Sequence, residues 1–406
     1  MINASLKLPN RSIIRNRIVK AAMSEALADR FNNPSDGLIK LFERWSKGGA
    51  GLLITGNTPV DRWHLEHAGN FVLDEYSNMD RVTKLADAAK SGGSLVLAQL
   101  AHAGRQTPAA INPHPLSISD VRLALPGYGE PKAATDTDLR KVIKQFVNSA
   151  SLAKEAGFDG VEIHAAHGYL LSSSLSPRIN TRDDHWGGSL QNRARLLLSI
   201  VEEVRSEVGQ GFIIATKLNS SDFQVGGFSH EDSIAVAKML EKAGIDLLEV
   251  SGGNFESPVS YQYSVKKDPR ATREAYFLDY AKDIKAAVSI PVMVTGGFRT
   301  VSVMNDAIAK KATDLIGMGR PFIINPEFPN KLLDGSLTVT PSIERDFPPA
   351  SDLPRGAALN WFCYQLALHG AEGDSNISIP VIDGHERYLK SMEALTDQLI
   401  KTRSQL

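Results

Sequence analysis

Apolar residues follow two rhythms along this chain. Short unbroken runs rich in Val, Ile and Leu recur between longer stretches whose apolar positions repeat at helical spacing. The short runs are 17–23, 51–55, 95–99, 160–164, 213–217, 247–251, 292–295 and 314–318. Runs that are continuous, not alternating, suit strands buried on both faces, as in a parallel sheet. Three helical stretches stop at glycine: 38–47 runs into Gly48 and Gly49, 138–156 into Gly157, and 230–243 into Gly244. Glycine ends a helix readily because it enters the left-handed region without a Cβ clash. Ser229 stands ahead of the third stretch with Asp232 three residues on, a capping arrangement.

The junctions repeat. Segment 154–163 (KEAGFDGVEI) and segment 242–250 (KAGIDLLEV) are nearly one phrase, with looser versions at 310–316 and 47–54. Each turns a helix end into a strand, so the chain repeats a β-then-α unit. Eight such units predict an α/β fold, a TIM (β/α)8 barrel; a doubly wound open sheet is the alternative. Loop insertions are expected at 102–131 after the third strand and 165–189 after the fourth. Both follow strand C-termini, where barrels place their sites. Past Asn325 the pattern dissolves into a Pro-rich stretch and a helical C-terminal extension. The expected division is a barrel over 1–335 and an extension over 336–406, packed on the barrel or on a neighbouring subunit of a homo-oligomer.

Composition narrows the function. The 406 residues carry 45 Lys+Arg against 46 Asp+Glu, a net charge of −1, which gives no basic face for nucleic acid. Cys363 is the single cysteine, so this chain alone forms no internal disulfide, iron–sulfur cluster or Cys-rich zinc site. No run approaches the ~18 apolar residues of a bilayer span, and the N-terminus lacks the apolar core of a secretion signal. A soluble, cytoplasmic protein with no membrane or nucleic-acid partner is expected.

The motifs G-x4-G-K-[ST], H-E-x-x-H, C-x-x-C and G-x-S-x-G are absent. Polar residues at strand ends remain. Gln99 closes an apolar strand; its amide suits a heterocycle edge or a loop-anchoring hydrogen bond. His164, His167 and Tyr169 follow the fourth strand, fit for a substrate, a structural pair or, less readily, a metal, for which no third ligand is evident. Lys217 ends an apolar strand and needs an anionic ligand or a Glu. Gly296, Gly297 and Arg299 follow the seventh strand, and Gly319 and Arg320 the eighth. Barrels often bind phosphate with these two loops, through Gly N–H groups and a helix N-terminus; two tight turns are the plain alternative.

These residues resemble the old yellow enzyme family, the NADH:flavin oxidoreductases and FMN-dependent ene-reductases. The resemblance runs from about residue 4 to 329. Its most distinctive part is HAAHGYLL at 164–171 followed by SPRINTRDDHWGGSLQNR at 176–193, and NRIVKAAMS at 16–24 and the Gln99 segment also match. It implies non-covalent FMN over the strand ends, with NADH or NADPH as hydride donor. Gln99 and Lys217 would hold the pyrimidine edge; relatives commonly carry Arg at the second position. Ala22 and Met23 would give backbone contacts, and Ser24 and Asn57 would lie near the C4 oxygen. Gly296, Gly297, Gly319 and Arg320 would hold the phosphate. The implied activity is reduction of the C=C bond of α,β-unsaturated carbonyl or nitro compounds. Hydride would come from flavin N5, His164 and His167 would bind the acceptor oxygen, and Tyr169 would give the proton. An NAD(P)H oxidase or other reductase on the same barrel, a non-flavin aldolase or isomerase, and a ligand-binding protein without turnover are the competing readings.

Overall fold

The computed structural model describes residues 1–257, 274, 275 and 277–403. Eight parallel strands close on themselves: β1 (Ile18–Lys20), β2 (Leu52–Ile54), β3 (Leu95–Ala101), β4 (Gly160–Ala165), β5 (Ile213–Asn219), β6 (Leu247–Ser251), β7 (Val292–Thr295) and β8 (Leu315–Met318). Each pairs with its sequence neighbour, and β8 pairs with β1 to complete a TIM barrel. The helices α1 (Asp36–Lys47), α2 (Met79–Lys90), α3 (Asp136–Glu155), α4 (Leu190–Val208), α5 (His230–Ala243), α6 (Leu278–Ala287) and α7 (Val301–Ala309) connect successive strands. All eight predicted strands are present with ends moved by a few residues. The largest change is at β1, which stops at Lys20, so Ala22, Met23 and Ser24 line the barrel mouth instead.

Local chemistry explains the boundaries. Ser229 accepts the Asp232 N–H at 3.1 Å to start α5, and Gly244 ends it at φ +94°. α1 starts at Ser35, which accepts the Leu38 N–H, and buries Leu38, Leu41, Phe42 and Trp45 against the sheet. Burying a large apolar side chain contributes roughly 1.5–3 kcal/mol. The tier inside the barrel includes Val19, Leu52, Leu97, Ile213, Ala215, Leu247, Met293 and Leu315. Gly160 faces this crowded interior: a Cβ there would lie 2.5 Å from Ile213 Cβ and 2.7 Å from Leu97 Cδ2. An N-terminal hairpin, Leu6–Lys7 against Ile13–Ile14, sends Leu8 and Ile14 into the same cluster and stoppers the end opposite the site. The apolar pattern did not reveal this hairpin, since its strands are only two residues long.

The insertions carry structure of their own. Leu116–Ser117 pairs with Lys132–Ala133 in the first, and Leu170–Leu175 is a short helix in the second. After β8 come α8 (Arg320–Ile324) and α9 (Phe328–Leu333), then α10 (Ala357–Glu372) and α11 (Val381–Arg403). α10 lies along the barrel: His369 Nε2 meets the Ile323 carbonyl at 2.6 Å, and Trp361 Nε1 donates to the Ile379 carbonyl at 2.8 Å. Gly384 of α11 sits so close that a Cβ would reach Trp361 Cδ1 at 2.5 Å. Among the described residues, no helix is long and apolar enough to cross a membrane.

Candidate active site

Side chains two apart on a strand share a face, so β4 turns Gly160, Glu162 and His164 inward in succession. The neighbouring strands place Gln99, Lys217 and Glu249 at matching heights: Gln99 is in register with Glu162, and Lys217 with Glu249. Gln99 Nε2 donates to Glu162 Oε2 at 2.7 Å, and Lys217 Nζ lies 2.9 Å from Glu249 Oε1. Lys217 thus has the Glu its burial demands. Burial, followed by the adjacent Glu249, pushes the Glu162 carboxyl well above the ordinary range.

Above this tier stand His164, His167 and Tyr169, all lining one cavity of about 760 Å³. His164 Nδ1 accepts the Ala166 N–H at 3.2 Å, which leaves the proton of the neutral ring on Nε2. Burial and then the Lys217 charge hold both imidazoles well below their ordinary pKa, so they are neutral. His167 takes φ +64°, unfavourable for a side-chain-bearing residue. Its N–H donates to Asn219 Oδ1 at 3.2 Å, and its Nε2 is 2.7 Å from Ser251 Oγ. The Tyr169 ring meets His164 edge-on at 4.9 Å and Phe255 at 5.8 Å.

At the other side the two glycine loops converge. Gly296 and Gly297 take φ +96° and +81°, and a Cβ on Gly296 would meet no atom within 4 Å. The Gly296 N–H itself donates to the Gly317 carbonyl at 3.0 Å, so this residue contributes space and not a free donor. Glu274 takes the Arg299 and Thr300 N–H groups at 2.8 and 2.9 Å, so the two residues ahead of α7 already have a carboxylate on their donors. An anion is left to the Gly297, Gly319 and Arg320 region. Arg299 and Arg320 each lie 3.1 Å from the same Glu344 oxygen, two cations on one carboxylate. This combination suits a phosphate.

Ser24 and Asn57 also line the cavity, yet both donate to Glu66: Ser24 Oγ at 2.9 and 3.0 Å, Asn57 Nδ2 at 2.7 Å. In this arrangement the Ser24 hydroxyl proton is directed at the Glu66 carboxylate. Glu66 was not singled out from the sequence, nor were Tyr128, Cys363 and Tyr388, which complete the wall. Glu66 belongs to an irregular segment, and the others lie on elements remote in sequence. The one available signal was the density of titratable groups around 61–67. Asp61, His64 and His102 also sit together. His64 already uses both nitrogens, with Asp61 at 3.0 Å and the Leu116 N–H at 2.9 Å, as a structural residue does.

The cavity fits FMN in chemistry. It offers an amide and a cation at the barrel mouth, the buried and unpartnered Thr295 Oγ1, an open glycine cradle and a doubly cationic end. Residues 5–337 match the NADH:flavin oxidoreductase / NADH oxidase family. The chain is 36% identical over 342 residues to the NADH-dependent flavin oxidoreductase nadA of Aspergillus parasiticus, covering 79% of this chain and 76% of that protein. It is 35% identical to an NADH oxidase of Thermoanaerobacter brockii, covering 80% of this chain but only 49% of that longer protein. The structure of an old yellow enzyme homologue from Zymomonas mobilis superposes with a TM-score of 0.71 at 23% identity, over 86% of this chain and 97% of the other.

Proposed function

We propose a function from the premise that the chain belongs to the NADH:flavin oxidoreductase / NADH oxidase family. As a member it is an FMN-dependent oxidoreductase of the old yellow enzyme type that uses NADH or NADPH as donor. The acceptor we assign is an electron-poor alkene conjugated to a carbonyl or nitro group. The observation that carries this reading is the convergence of two neutral imidazoles and a phenol on one side of the cavity.

FMN supplies the hydride chemistry when bound. The chain's own residues do the rest. Gln99 and Lys217 would hold the pyrimidine edge, and the Gly297, Gly319 and Arg320 region would hold the phosphate. The His164 Nε2–H donates to the acceptor oxygen beside His167, and those contacts strengthen as negative charge gathers there. Tyr169 moves its phenolic proton to the α-carbon; an ordinary phenol, with pKa near 10, still carries that proton at neutral pH. All three side chains are buried.

Tyr169→Phe is expected to slow the acceptor half-reaction with 2-cyclohexenone by roughly 10²–10⁴-fold, the usual share of a general acid. Reduction by NAD(P)H should stay near wild type. Stopped-flow absorbance separates the halves, and equal losses in both would remove Tyr169 from the proton step.

A further inference from the structure

Below the cavity floor the barrel holds more acidic groups than its cation balances. Lys217 on β5 lies between Glu162 on β4 and Glu249 on β6, and both carboxyls have no solvent exposure. Lys217 Nζ is 2.9 Å from Glu249 Oε1, and Gln99 Nε2 donates to Glu162 Oε2. Glu162 Oε1 and both Glu249 oxygens are buried without a hydrogen-bond donor, the Lys217 ammonium meeting Glu249 as an ion pair. The tier beneath is apolar, with Leu97, Ala215, Leu247 and Met293. Above stand His164 and His167, both neutral. Lys20 of β1 is committed elsewhere, 2.5 Å from Glu25.

Charge counting then decides the protonation state. Two ionised carboxylates against one ammonium would leave an uncompensated negative charge in a buried layer, which is strongly unfavourable. Two neutral carboxyls would leave the ammonium unbalanced. We infer that Glu162 and Glu249 hold one proton between them, carried by Glu162 and donated to Glu249, so that Lys217 and the pair form a neutral unit under the flavin seat. Like carboxyls in contact are expected to share a proton in this way. The rise of the Glu162 pKa through burial and the nearness of Glu249 agrees with it.

The two glutamates are therefore unequal positioning residues. Glu249 is the anion that tempers Lys217, and Glu162 is the neutral donor that steadies that anion. The proton itself is independent of the proposed acceptor; only its effect on the flavin rests on FMN occupying this cavity.

Two measurements test this. Infrared spectra of the wild-type protein, with and without FMN, in H2O and D2O near neutral pH, should contain the carbonyl band of a buried protonated carboxylic acid that Glu162→Gln removes. The FMN midpoint potential should change little in Glu162→Gln, where an amide replaces a neutral acid. In Glu249→Gln it should move to a more positive value, because Lys217 loses its counter-charge. A wild-type spectrum without that acid band overturns the inference even if neither variant folds. Equal potential shifts in the two variants also overturn it, since both carboxyls would then have been ionised. A protein unable to take up FMN would remove the flavin reading, while the infrared band would still decide the shared proton.

Discussion

The floor and the outer wall of the cavity are built on different principles. Gln99 and Lys217, with Glu162 and Glu249 beneath them, stand on paired strands, where backbone hydrogen bonds fix each side chain's height to its neighbour's. The wall across from them comes from irregular loops and the C-terminal helices: Glu66, Tyr128, Phe255, Cys363 and Tyr388. There, side-chain packing such as Trp361 against Gly384 holds the geometry. The floor can therefore stay constant while the wall varies, a division in which a rigid scaffold presents changeable recognition elements.

Breaking the wall should leave the floor intact. Trp361→Ala removes a buried ring at the α10–α11 contact and is expected to destabilise the tail by about 3–5 kcal/mol. Limited proteolysis and thermal unfolding should report early loss of the tail, while FMN affinity changes only a few-fold. Simultaneous loss of FMN and tail would make floor and wall one cooperative unit. The reverse experiment, Arg320→Ala, removes a charge-assisted contact and should weaken FMN binding by about 1.5–3 kcal/mol, measured by flavin titration, with tail proteolysis unchanged. Glu344, which pairs with Arg320 and Arg299, precedes the tail helices and is the place where this separation is most exposed to failure.

The smallest effect concerns Cys363. Burial pushes its thiol up to about 12. A raised pKa keeps the thiol protonated until the pH nears that value, and the thiolate is the reactive form. Iodoacetamide should therefore label Cys363 slowly in the folded protein at pH near 8, as read by mass spectrometry. Trp361→Ala should speed labelling; rapid labelling of the wild type would mean that the wall is open in solution.

The same contrast governs what the sequence disclosed. All eight strands were legible because a doubly buried strand needs an uninterrupted apolar run, and Gly244 and Ser229 marked helix ends by local chemistry alone. Gln99, His164 and Lys217 stood out because polar residues at the ends of apolar strands need a reason. Glu66 and Tyr388 did not, since their roles arise from contacts between distant segments. The contact of Glu274 with the residues ahead of α7 likewise joins Arg299 to a residue 25 positions before it, and no local rule anticipates it. The apolar pattern places Lys20 inside the run 17–23, although it is a wholly buried cation facing Glu25 and the rings of Phe42 and Trp45.

The packed interior of the barrel, covered at its far end by Leu8 and Ile14, bears on the order of events. A vessel corked at its base is filled and emptied through its neck. If donor and acceptor visit the same cofactor face, each must vacate before the other arrives, and turnover becomes a queue. Double-reciprocal plots would then run parallel, and an excess of either visitor would obstruct the other. A packed core that touches neither visitor would thereby help to fix the kinetic order of the reaction.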